Sequence, residues 1–454
     1  MHQYSAGGGR APRMAEERAT AEVPSVAVQA ALDAAVNSAA AVIRGWMECY
    51  SADMGGTPVD AGWFSLPAVF YSEHICTSSA SGSYAIMRSD AIMEKYKIGI
   101  IGATGMVGQR FITLMDGHPW FEPVVLAASS RSAGKKYPEA VGKKWCMDVA
   151  IPAWAEDITV MDAEADAEKI AGMVDFVFCA VDMSKDAIRA LEYKYAQLEC
   201  PVVSNNSAHR GTPDVPMVIP EINNDHLKVI DDQKKRLGTQ RGFIAVKSNC
   251  SIQSYVPALS ILKEKYGLKK VLVCTYQAIS GAGKTFETWP EMVDNLIPYI
   301  GGEEEKSEQE PLKVWGHVED GVIKNAEGPS ITTQCLRVPV SNGHMAAVFA
   351  SFEKPVDLED FKAMWKNFKG RPQELELPHA PKQFIHYFEE DNMPQTRLHR
   401  DLEGGMAISV GRLRPDTQYD VKFVCLSHNT LRGAAGGATL LAELLCAEGY
   451  ITRR

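Results

Sequence analysis

The chain has 454 residues, of which 46% are hydrophobic and 23% are charged, a composition typical of a globular protein with two or three domains. A net charge of −10 and the lack of any block of lysines and arginines argue against a nucleic-acid-binding protein. Since no stretch of about 18 uninterrupted apolar residues occurs, the sequence predicts neither a transmembrane helix nor a membrane partner. Small-molecule chemistry is the favoured class of function.

The ten cysteines are scattered singly, without a C-x-x-C pair, and no two histidines stand at the spacing typical of a metal site. Reduced thiols fit this pattern better than a disulfide framework, because disulfide-rich chains are usually small and secreted. The sequence therefore predicts a cytoplasmic protein without a bound metal.

Residues 1–92 differ in composition from the rest of the chain. They include the glycine run Gly7–Gly9 and an alanine-rich stretch over 26–46, but no compact apolar segment followed by a small-residue cleavage site. A strand-like pattern begins directly after Met93. We expect the folded protein to begin at about Met93, and residues 1–92 to be a disordered or processed leader.

A glycine-rich loop follows the first predicted strand, Ile98–Ile101, and precedes a helical run. Its glycines, Gly102, Gly105 and Gly108, form a G-x-x-G-x-x-G variant of the dinucleotide-binding loop. In such loops, backbone amides approach a pyrophosphate at a helix N-terminus. The position between strand and helix favours a dinucleotide site over a purely structural turn.

The next predicted strand, Val124–Ala128, ends in Ser129, Ser130, Arg131 and Ser132. An NAD-binding protein would be expected to offer a carboxylate here for the ribose 2′-hydroxyl, and none is present. Hydroxyl groups beside an arginine suit a 2′-phosphate, so the sequence favours NADP, with a solvated basic turn as the alternative.

Further alternation of strands and helices continues to Ser248. The pattern predicts strands at Val174–Ala180 and Pro201–Ser204 around a helix at Lys185–Tyr195, and a polar cluster over 205–210 follows the second strand. Such alternation is typical of a parallel, doubly wound sheet that binds ligands at the carboxyl ends of its strands. We therefore predict an α/β fold that opens with a Rossmann-type NADP-binding domain.

A strand-like run that begins with the apolar residues Ala245–Val246 leads to Cys250. The polar residues Asn249 and Ser251 flank this cysteine on either side. A thiol between a strand and a helix lies near unpaired backbone amides and the positive helix end, which lower a thiol pKa and stabilise an oxyanion. A small buried cysteine is the commoner alternative. The polar neighbours favour a nucleophile.

A predicted strand at Lys270–Ile279 leads into a glycine-rich turn, Ser280 to Thr285. The turn is not a P-loop, because that motif requires glycine where Ala278 stands. We predict that it lies near the cofactor or the nucleophile.

The region after this turn reads as a helix over Pro290–Ile300 and then as a charged run. Glu303 and Lys306 are three residues apart, so on a helix they share a face and could contact one ligand. A solvated run of charges is the alternative.

Asn342 and Gly343 stand between two alternating runs and predict a β-hairpin. In a two-residue turn Ser341 would pair with His344, and Arg337 would lie on the same face, roughly 13 Å away at about 3.3 Å per residue. That spacing would leave room for a small anionic substrate between a base and an arginine. An isolated hairpin histidine is more often structural, but a nearby nucleophile reverses that weighting.

The chain ends with a predicted strand at Tyr419–Cys425, the small-residue segment Asn429 to Gly437, and an apolar helix at Ala438–Glu448. Small residues at a helix start permit close approach to a ligand or to another helix.

With these motifs, the chain resembles the aspartate-semialdehyde dehydrogenase family over about Lys95 to Ile451. The motif sequences are more similar to the archaeal and fungal branch of that family than to the enterobacterial one. The motifs occur in the family order: GATGMVG, SSRSAGK, SNNSAHR, SNCS, TYQAISGAG, GGEEEK, LRVPVSNGH and HNTLRGAAGG. The resemblance implies an NADP-binding Rossmann domain at 93–248, completed by 429–454. It further implies an α+β catalytic and dimerisation domain of the glyceraldehyde-3-phosphate-dehydrogenase type at 249–428, and a homodimer or homotetramer.

The resemblance also implies roles for single residues. Cys250 would be the nucleophile, His344 the acid and base, and Gln277 an orienting group. The implied substrate contacts are Arg337 for the carboxylate, Glu303 for the amino group, Arg210 and Lys306 for phosphate, and Asn249. Asn429 would meet the nicotinamide amide. The remaining implied cofactor contacts are Gly102, Thr104, Gly105, Met106, Val107, Ser129, Ser130, Arg131, Ser132, Ser280 and Gly281.

The implied reaction is the NADPH-dependent reductive dephosphorylation of L-aspartyl-4-phosphate to L-aspartate 4-semialdehyde through a cysteine thioester, in the biosynthesis of lysine, threonine and methionine. Its small-molecule partners would be these two compounds and phosphate. A malonyl-CoA reductase or another acyl reductase on the same scaffold is the alternative. A non-catalytic NADP-binding sensor is a more distant one, since it would need neither Cys250 nor His344 nor Arg337.

Overall fold

The computed structural model describes residues 94–454, and the predicted leader at 1–92 lies outside the described residues. Within 94–454, no helix combines the length and the apolar character needed to cross a membrane. Two large sheets organise this part of the chain, one parallel and one mixed.

The first sheet has seven strands in the order β3-β2-β1-β4-β5-β7-β6, and every pairing in it is parallel. Its central strands are buried on both faces, as the apolar runs of the sequence predict for a covered parallel sheet. The strands are β1 (Tyr96–Ile101), β2 (Phe121–Ala128), β3 (Met161–Asp162), β4 (Phe176–Cys179), β5 (Val202–Ser204), β6 (Met217–Val218) and β7 (Ile244–Lys247).

Helices connect these parallel strands, since a parallel crossover needs a long connection. They are α1 (Met106–Leu114), α2 (Tyr137–Val141), α3 (Ala153–Glu156), α4 (Ala167–Met173), α5 (Lys185–Gln197) and α6 (Ile230–Leu237), with 3₁₀ turns at Gly142–Lys144 and Asn224–Val229. The predicted doubly wound sheet is confirmed.

The second sheet is mixed, with six strands in the order β11-β8-β12-β15-β14-β13. Its strands are β8 (Leu268–Gln277), β11 (Ser330–Arg337), β12 (His344–Phe352), β13 (Ile385–Phe388), β14 (Ile408–Pro415) and β15 (Val421–Ser427), and a separate pair is formed by β9 (His317–Glu319) and β10 (Val322–Lys324). In β12, buried and half-buried residues alternate along the whole strand, because one face packs on the core.

The helices of this second region are α7 (Val256–Tyr266), α8 (Glu303–Val314), α9 (Leu358–Asn367), α10 (Arg371–Glu374), α11 (Thr396–His399) and α12 (Leu402–Gly405). Short 3₁₀ turns occur at Ile252–Ser254, Ile279–Ala282 and Pro290–Met292. On α9, the buried Trp365 donates from its indole nitrogen to the Ala258 carbonyl of α7, which fixes the two helices against each other.

The last helix, α13 (Gly436–Ala447), returns to the first sheet. Its Leu440, Leu441, Leu444 and Leu445 are fully buried in the same apolar cluster as Phe111 of α1. Burying four leucines stabilises the fold by roughly 1.5–3 kcal/mol each before the cost in chain entropy. The end of the chain therefore belongs to the core of the parallel sheet.

The predicted hairpin between Arg337 and His344 is wrong. β8 lies between β11 and β12, pairing in parallel with β11 and antiparallel with β12. The chain from 338 to 343 therefore crosses over the end of β8 instead of making a tight turn, and Pro339 lacks the amide that a ladder would require. Arg337 and His344 consequently flank Gln277 from either side, and the predicted separation of about 13 Å along one hairpin face does not apply.

The predicted helix at Pro290–Ile300 is also wrong. Only Pro290–Met292 is helical, as a single 3₁₀ turn. Asp294 then adopts a left-handed backbone conformation with φ of 57°, and Ile297 forms a β-bridge with Arg337. The main chain of 297 is therefore paired with the second sheet and is unavailable to a helix.

Gly108 of α1 offers a test of how closely helix and loop approach. A methyl group at Gly108 would lie 2.2 Å from the Gly102 carbonyl oxygen, whereas one at the helical Gly172 would meet nothing within 4 Å. We expect Gly108→Ala to lower the free energy of unfolding by about 1–3 kcal/mol through overpacking, and Gly172→Ala to raise it by about 0.5–1 kcal/mol. Urea unfolding measures both, and an unchanged midpoint for Gly108→Ala would contradict the close approach.

Candidate active site

Cys250 lies in the turn that follows β7, two residues before the 3₁₀ turn Ile252–Ser254. It is half-buried, and its Sγ lies 3.5 Å from Nε2 of His344, the first residue of β12. The thiol comes from the parallel sheet and the imidazole from the mixed sheet. The junction of the two sheets therefore brings the predicted nucleophile into contact with the predicted acid and base.

The other nitrogen of His344 fixes the state of the ring. Nδ1 accepts a hydrogen bond of 3.1 Å from the backbone amide of Ala278, so the proton of the neutral ring resides on Nε2 and faces Cys250. Burial lowers the pKa of His344 to about 3, and the nearby charge of Arg337 adds to the lowering. The imidazole is therefore neutral and serves as a donor through Nε2.

Arg337 ends β11 on the other side of β8, and its Nη1 donates to the Ala278 carbonyl at 2.7 Å. A methyl group at Gly281 would lie 2.9 Å from this Nη1 and 3.1 Å from His344 Nε2. The arginine and the histidine thus border one small space, and only glycine at 281 leaves that space open.

An acidic group borders the same pocket. Glu303, the first residue of α8, accepts hydrogen bonds from the Asn249 amide at 3.1 and 3.2 Å, from Lys306 at 2.6 Å and from Gln277 at 3.4 Å. Asn249 is oriented by Ser251, whose backbone amide and hydroxyl both donate to Asn249 Oδ1. The predicted pair Glu303 and Lys306 does share a helix face, and its two members contact each other.

The charges around the pocket set the protonation of its groups. Burial raises the pKa of Glu303, but Lys306 and the Asn249 amide more than offset this, and the pKa lies below its usual range. Burial raises the pKa of the Cys250 thiol and Glu303 adds to the rise, whereas Lys247, Arg210 and Arg337 lower it. On balance the pKa of the thiol lies above its usual value, so the predicted lowering is not found; the helix α7 begins only at Val256, after the 3₁₀ turn Ile252–Ser254.

Arg210 reaches the site from the loop after β5 and is held on several sides. It donates from Nε to the Lys247 carbonyl, from Nη2 to the Asn205 carbonyl and from Nη1 to Glu310 at 3.0 Å. Glu310 of α8 also accepts from the backbone amide of Asn249. Glu310 was not among the predicted site residues, although it stands two turns after Glu303 on the same helix.

The predicted cofactor loop has the geometry of a phosphate cradle. Gly102 has φ of 92°, and a methyl group there would lie 2.3 Å from the Ala180 carbonyl. Gly105 is the exposed N-cap of α1, with only the Gly102 oxygen near its Cβ position, at 3.6 Å. The amides of Met106 and Val107 in the first turn are therefore approachable by a pyrophosphate, and the residues present fit a dinucleotide.

The predicted 2′-phosphate segment follows directly on the neighbouring strand. β1 and β2 pair side by side, and Ser129, Ser130 and Arg131 are exposed at the carboxyl end of β2. Thr104 of the glycine loop and Ser132 of the segment after β2 are half-buried. Such an edge is where a doubly wound sheet binds the ribose of a dinucleotide.

Asn429 joins the two strand ends that carry the pocket. Its Oδ1 accepts from the Gly343 amide at 2.8 Å and its Nδ2 donates to the Ser280 hydroxyl at 2.9 Å. A turn at 431–435 follows, where a methyl group at Gly433 would lie 2.9 Å from Cys250 Cβ. The same turn packs against α1, so Cys250 and the helix that follows the glycine loop contact one backbone segment.

A second cluster of titratable groups lies beside α13, where ligand atoms of His118, His379 and Glu443 come within 4.8 Å of one another. His118 Nδ1 accepts from the backbone amides of Trp120 and Phe121, so its proton resides on Nε2 and is donated to Glu443 at 3.0 Å. That tautomer leaves no lone pair on Nε2 for a metal, and the cluster instead ties α13 to the first sheet.

Comparison with known families places both halves of the chain. Residues 97–230 match the family profile described as semialdehyde dehydrogenase, NAD binding domain, and residues 259–432 match the semialdehyde dehydrogenase dimerisation domain. The chain is 43% identical over 350 residues to the aspartate-semialdehyde dehydrogenase of Methanothermobacter thermautotrophicus, covering 77% of this chain and 98% of that protein. The Schizosaccharomyces pombe enzyme is 41% identical over 361 residues, covering 78% and 99%.

Solved structures agree with the sequence comparison. A crystal structure of aspartate-semialdehyde dehydrogenase with NADP from Candida albicans aligns at a TM-score of 0.72 with 38% identity, covering 79% of this chain and all of that one. A Vibrio cholerae structure aligns at a TM-score of 0.60 with 23% identity and so shows the shared fold alone. With both domains matched and four-tenths of the residues identical to archaeal and fungal relatives, the chain belongs to the aspartate-semialdehyde dehydrogenase family.

Proposed function

We propose that this protein reduces L-aspartyl-4-phosphate to L-aspartate 4-semialdehyde and phosphate with NADPH, in the pathway to lysine, threonine and methionine. The observation that carries the proposal is the 3.5 Å contact between Cys250 Sγ and His344 Nε2, bordered by one guanidinium and one carboxylate. A thiol nucleophile, a proton donor and two oppositely charged anchors are the groups that this chemistry needs.

The two anchors match the two ends of an amino acid. Arg337 would bind the α-carboxylate, since a guanidinium offers paired donors to a carboxylate. Glu303, kept ionised by Lys306 and Asn249, would bind the α-amino group. These contacts would leave the side-chain acyl carbon free to meet the sulfur.

The covalent steps balance around the sulfur. The Cys250 thiolate, its proton lost to solvent, would form an S–C bond to the acyl carbon, and the C–O bond to phosphate would break and release inorganic phosphate. When bound, NADPH supplies the hydride that converts the resulting thioester into a thiohemiacetal. Collapse of the thiohemiacetal would release the aldehyde and restore the thiolate.

The Ala278 amide favours one of the two roles predicted for His344. An imidazolium would carry a proton on Nδ1 that faces the Ala278 N–H, so this charged form is disfavoured. His344 is therefore a poor acceptor for the thiol proton of Cys250. The proton on Nε2 lies at the sulfur and is therefore available to the oxygen on the adjoining carbon. His344 would donate a hydrogen bond from Nε2 to the oxyanion that hydride addition leaves on this carbon, and the oxyanion would collapse to the aldehyde and the thiolate without a proton leaving the ring.

We propose that the cofactor binds along the edge formed by the glycine loop and the end of β2. Gly102, Thr104, Gly105, Met106 and Val107 would hold the pyrophosphate. The exposed Ser129, Ser130 and Arg131, with Ser132, would hold the 2′-phosphate that distinguishes NADP from NAD. Ser280, Gly281 and Asn429 would meet the nicotinamide end beside Cys250.

Arg210 and Lys306 are the residues that we propose bind the phosphate group of the substrate. Arg210 pairs with Glu310, which also accepts from the Asn249 backbone amide, and Lys306 pairs with Glu303. In this proposal a phosphate group would share these cations with the carboxylates, with Gln277 orienting the acyl group.

Glu303 favours an amino-acid substrate over the acyl-CoA alternative. The malonyl group of malonyl-CoA carries no amino group, so the buried Glu303 carboxylate would be left without a cationic partner on the substrate. A non-catalytic sensor is disfavoured for a different reason, since it would gain nothing from the aligned thiol and imidazole.

We infer that the enzyme works as a homodimer or homotetramer in the cytoplasm. The matched dimerisation domain supports a homo-oligomer, and its exposed apolar residues Val293, Leu296 and Tyr299 are candidates for the contact. All eight cysteines within residues 94–454 are unpaired, which fits a reducing compartment.

A direct assay tests the proposed function. We expect the purified full chain to reduce NADP in the presence of L-aspartate 4-semialdehyde and phosphate, with a lower kcat/KM for NAD because NAD lacks the 2′-phosphate. Malonyl-CoA with NADPH is the parallel reaction. Faster turnover of malonyl-CoA would overturn the proposed substrate.

Cys250→Ser tests the nucleophile. We expect turnover to be abolished with an unchanged unfolding midpoint, because a serine hydroxyl beside a neutral donor imidazole is not ionised near neutral pH. Cys274→Ser, at a half-buried cysteine of β8, is the matched control and should retain turnover. Wild-type rates in Cys250→Ser would remove this residue from the chemistry.

Arg337→Lys tests the carboxylate anchor. The substitution keeps the charge and removes the paired donors, at a cost of about 1.5–3 kcal/mol, or a fall in kcat/KM of about 10- to 150-fold. Steady-state kinetics with varied aspartate semialdehyde measures it, with Arg414→Lys on β14 as the control. If kcat and KM both stayed at wild-type values, Arg337 would not bind the substrate.

A further inference from the structure

Lys247 is a buried cation that the reaction scheme above does not use. It is the last residue of β7, three positions before Cys250, and only 2% of its surface is exposed. Its ammonium donates to the backbone carbonyls of Ser248 and Gly433, and both of its hydrogen-bond partners within residues 94–454 are carbonyls. A buried ammonium bound only by neutral groups is costly, so its presence calls for a reason.

The two carbonyls belong to two backbone segments that meet at Cys250. Ser248 begins the turn that carries Cys250, and Gly433 belongs to the turn at 431–435 that packs on Cys250 Cβ. The Lys247 side chain also packs against α13, with its Cδ 3.3 Å from the Cβ position of Gly437. The lysine therefore connects the two backbone segments between which the thiol is held.

Building on the proposed role of Cys250, we propose that Lys247 is a positioning residue whose ammonium holds the nucleophile turn against the 431–435 turn and supplies the positive charge that stabilises the Cys250 thiolate. In many cysteine enzymes an imidazolium supplies that charge. Here the Ala278 amide keeps His344 neutral, so the charge has to come from another group.

The electrostatic surroundings support this assignment from both sides. Burial and Glu303 oppose the thiolate, and Lys247 is the first among the cations that favour it, ahead of Arg210 and Arg337. Burial and the charges of Arg210 and Arg432 lower the pKa of Lys247, Cys250 and Glu310 raise it, and the net result is a pKa of about 7. Each of the two ionised groups thus favours the charged form of the other.

The chain contains a matched control. Lys313 of α8 is also buried and also donates to backbone carbonyls, those of Arg210, Thr212 and Val215 at 2.7–2.9 Å. Removing either ammonium costs a comparable set of hydrogen bonds. Of these two lysines, only Lys247 is among the cations that lower the pKa of the Cys250 thiol.

The test measures the reactivity of the thiol, not turnover, so it gives an answer even if the proposed substrate is wrong. The rate of Cys250 alkylation by iodoacetamide is followed by mass spectrometry of its peptide from about pH 6 to about pH 10, the range that brackets ordinary thiol pKa values. The proteins are the full chain, Lys247→Met, Lys247→Gln and Lys313→Met, each also unfolded in urea.

We expect both Lys247 variants to shift the alkylation profile upward by about one pH unit, which makes alkylation near neutral pH about tenfold slower. Lys247→Gln keeps a hydrogen-bond donor for the two carbonyls, so it should be more stable than Lys247→Met. Its pH profile of Cys250 alkylation should nevertheless stay shifted from that of the wild type. Lys313→Met should lose stability and keep the wild-type profile. A wild-type profile in Lys247→Gln would overturn the proposal, whether or not Lys247→Met folds.

Discussion

The contact between the Cys250 thiol and the His344 imidazole depends on how two sheets of different kinds meet. The thiol stands at the end of a strand of the parallel sheet, and the imidazole begins a strand of the mixed sheet. Neither sheet alone contains a reactive pair. The turn at 431–435 packs on Cys250 and on α1, and α13 packs on α1, so the segment at 431–447 links this junction to the predicted cofactor-binding edge.

Much of this arrangement could be predicted from local patterns. The glycine loop, the serine-rich end of β2 and the strand before Cys250 are each read from consecutive residues, because a strand followed by glycines and a helix is a local motif. The predicted Rossmann-type fold, the NADP preference and the resemblance to the semialdehyde dehydrogenases are confirmed by the topology and the relatives. The roles of single residues stay predictions until variants are assayed.

Features that depend on distant pairing could not be predicted in this way. The insertion of β8 between β11 and β12 joins residues some sixty positions apart, and an Asn-Gly pair carries no information about it. Lys247 looks in the sequence like a polar interruption of an apolar strand, because burial of an ammonium by two carbonyls depends on a turn far along the chain. Glu310 could not be singled out from the sequence, because acidic residues on a helix ordinarily face solvent, whereas this one accepts a hydrogen bond from Arg210.

Ala278 contributes to the pocket through its main chain alone, giving its N–H to His344 and its carbonyl to Arg337. Every amino acid except proline carries that pair of atoms. The alignment of imidazole with guanidinium thus does not depend on the chemistry of the side chain at 278, whose size is limited by complete burial. Proline is the single replacement that would erase the donor and release the ring.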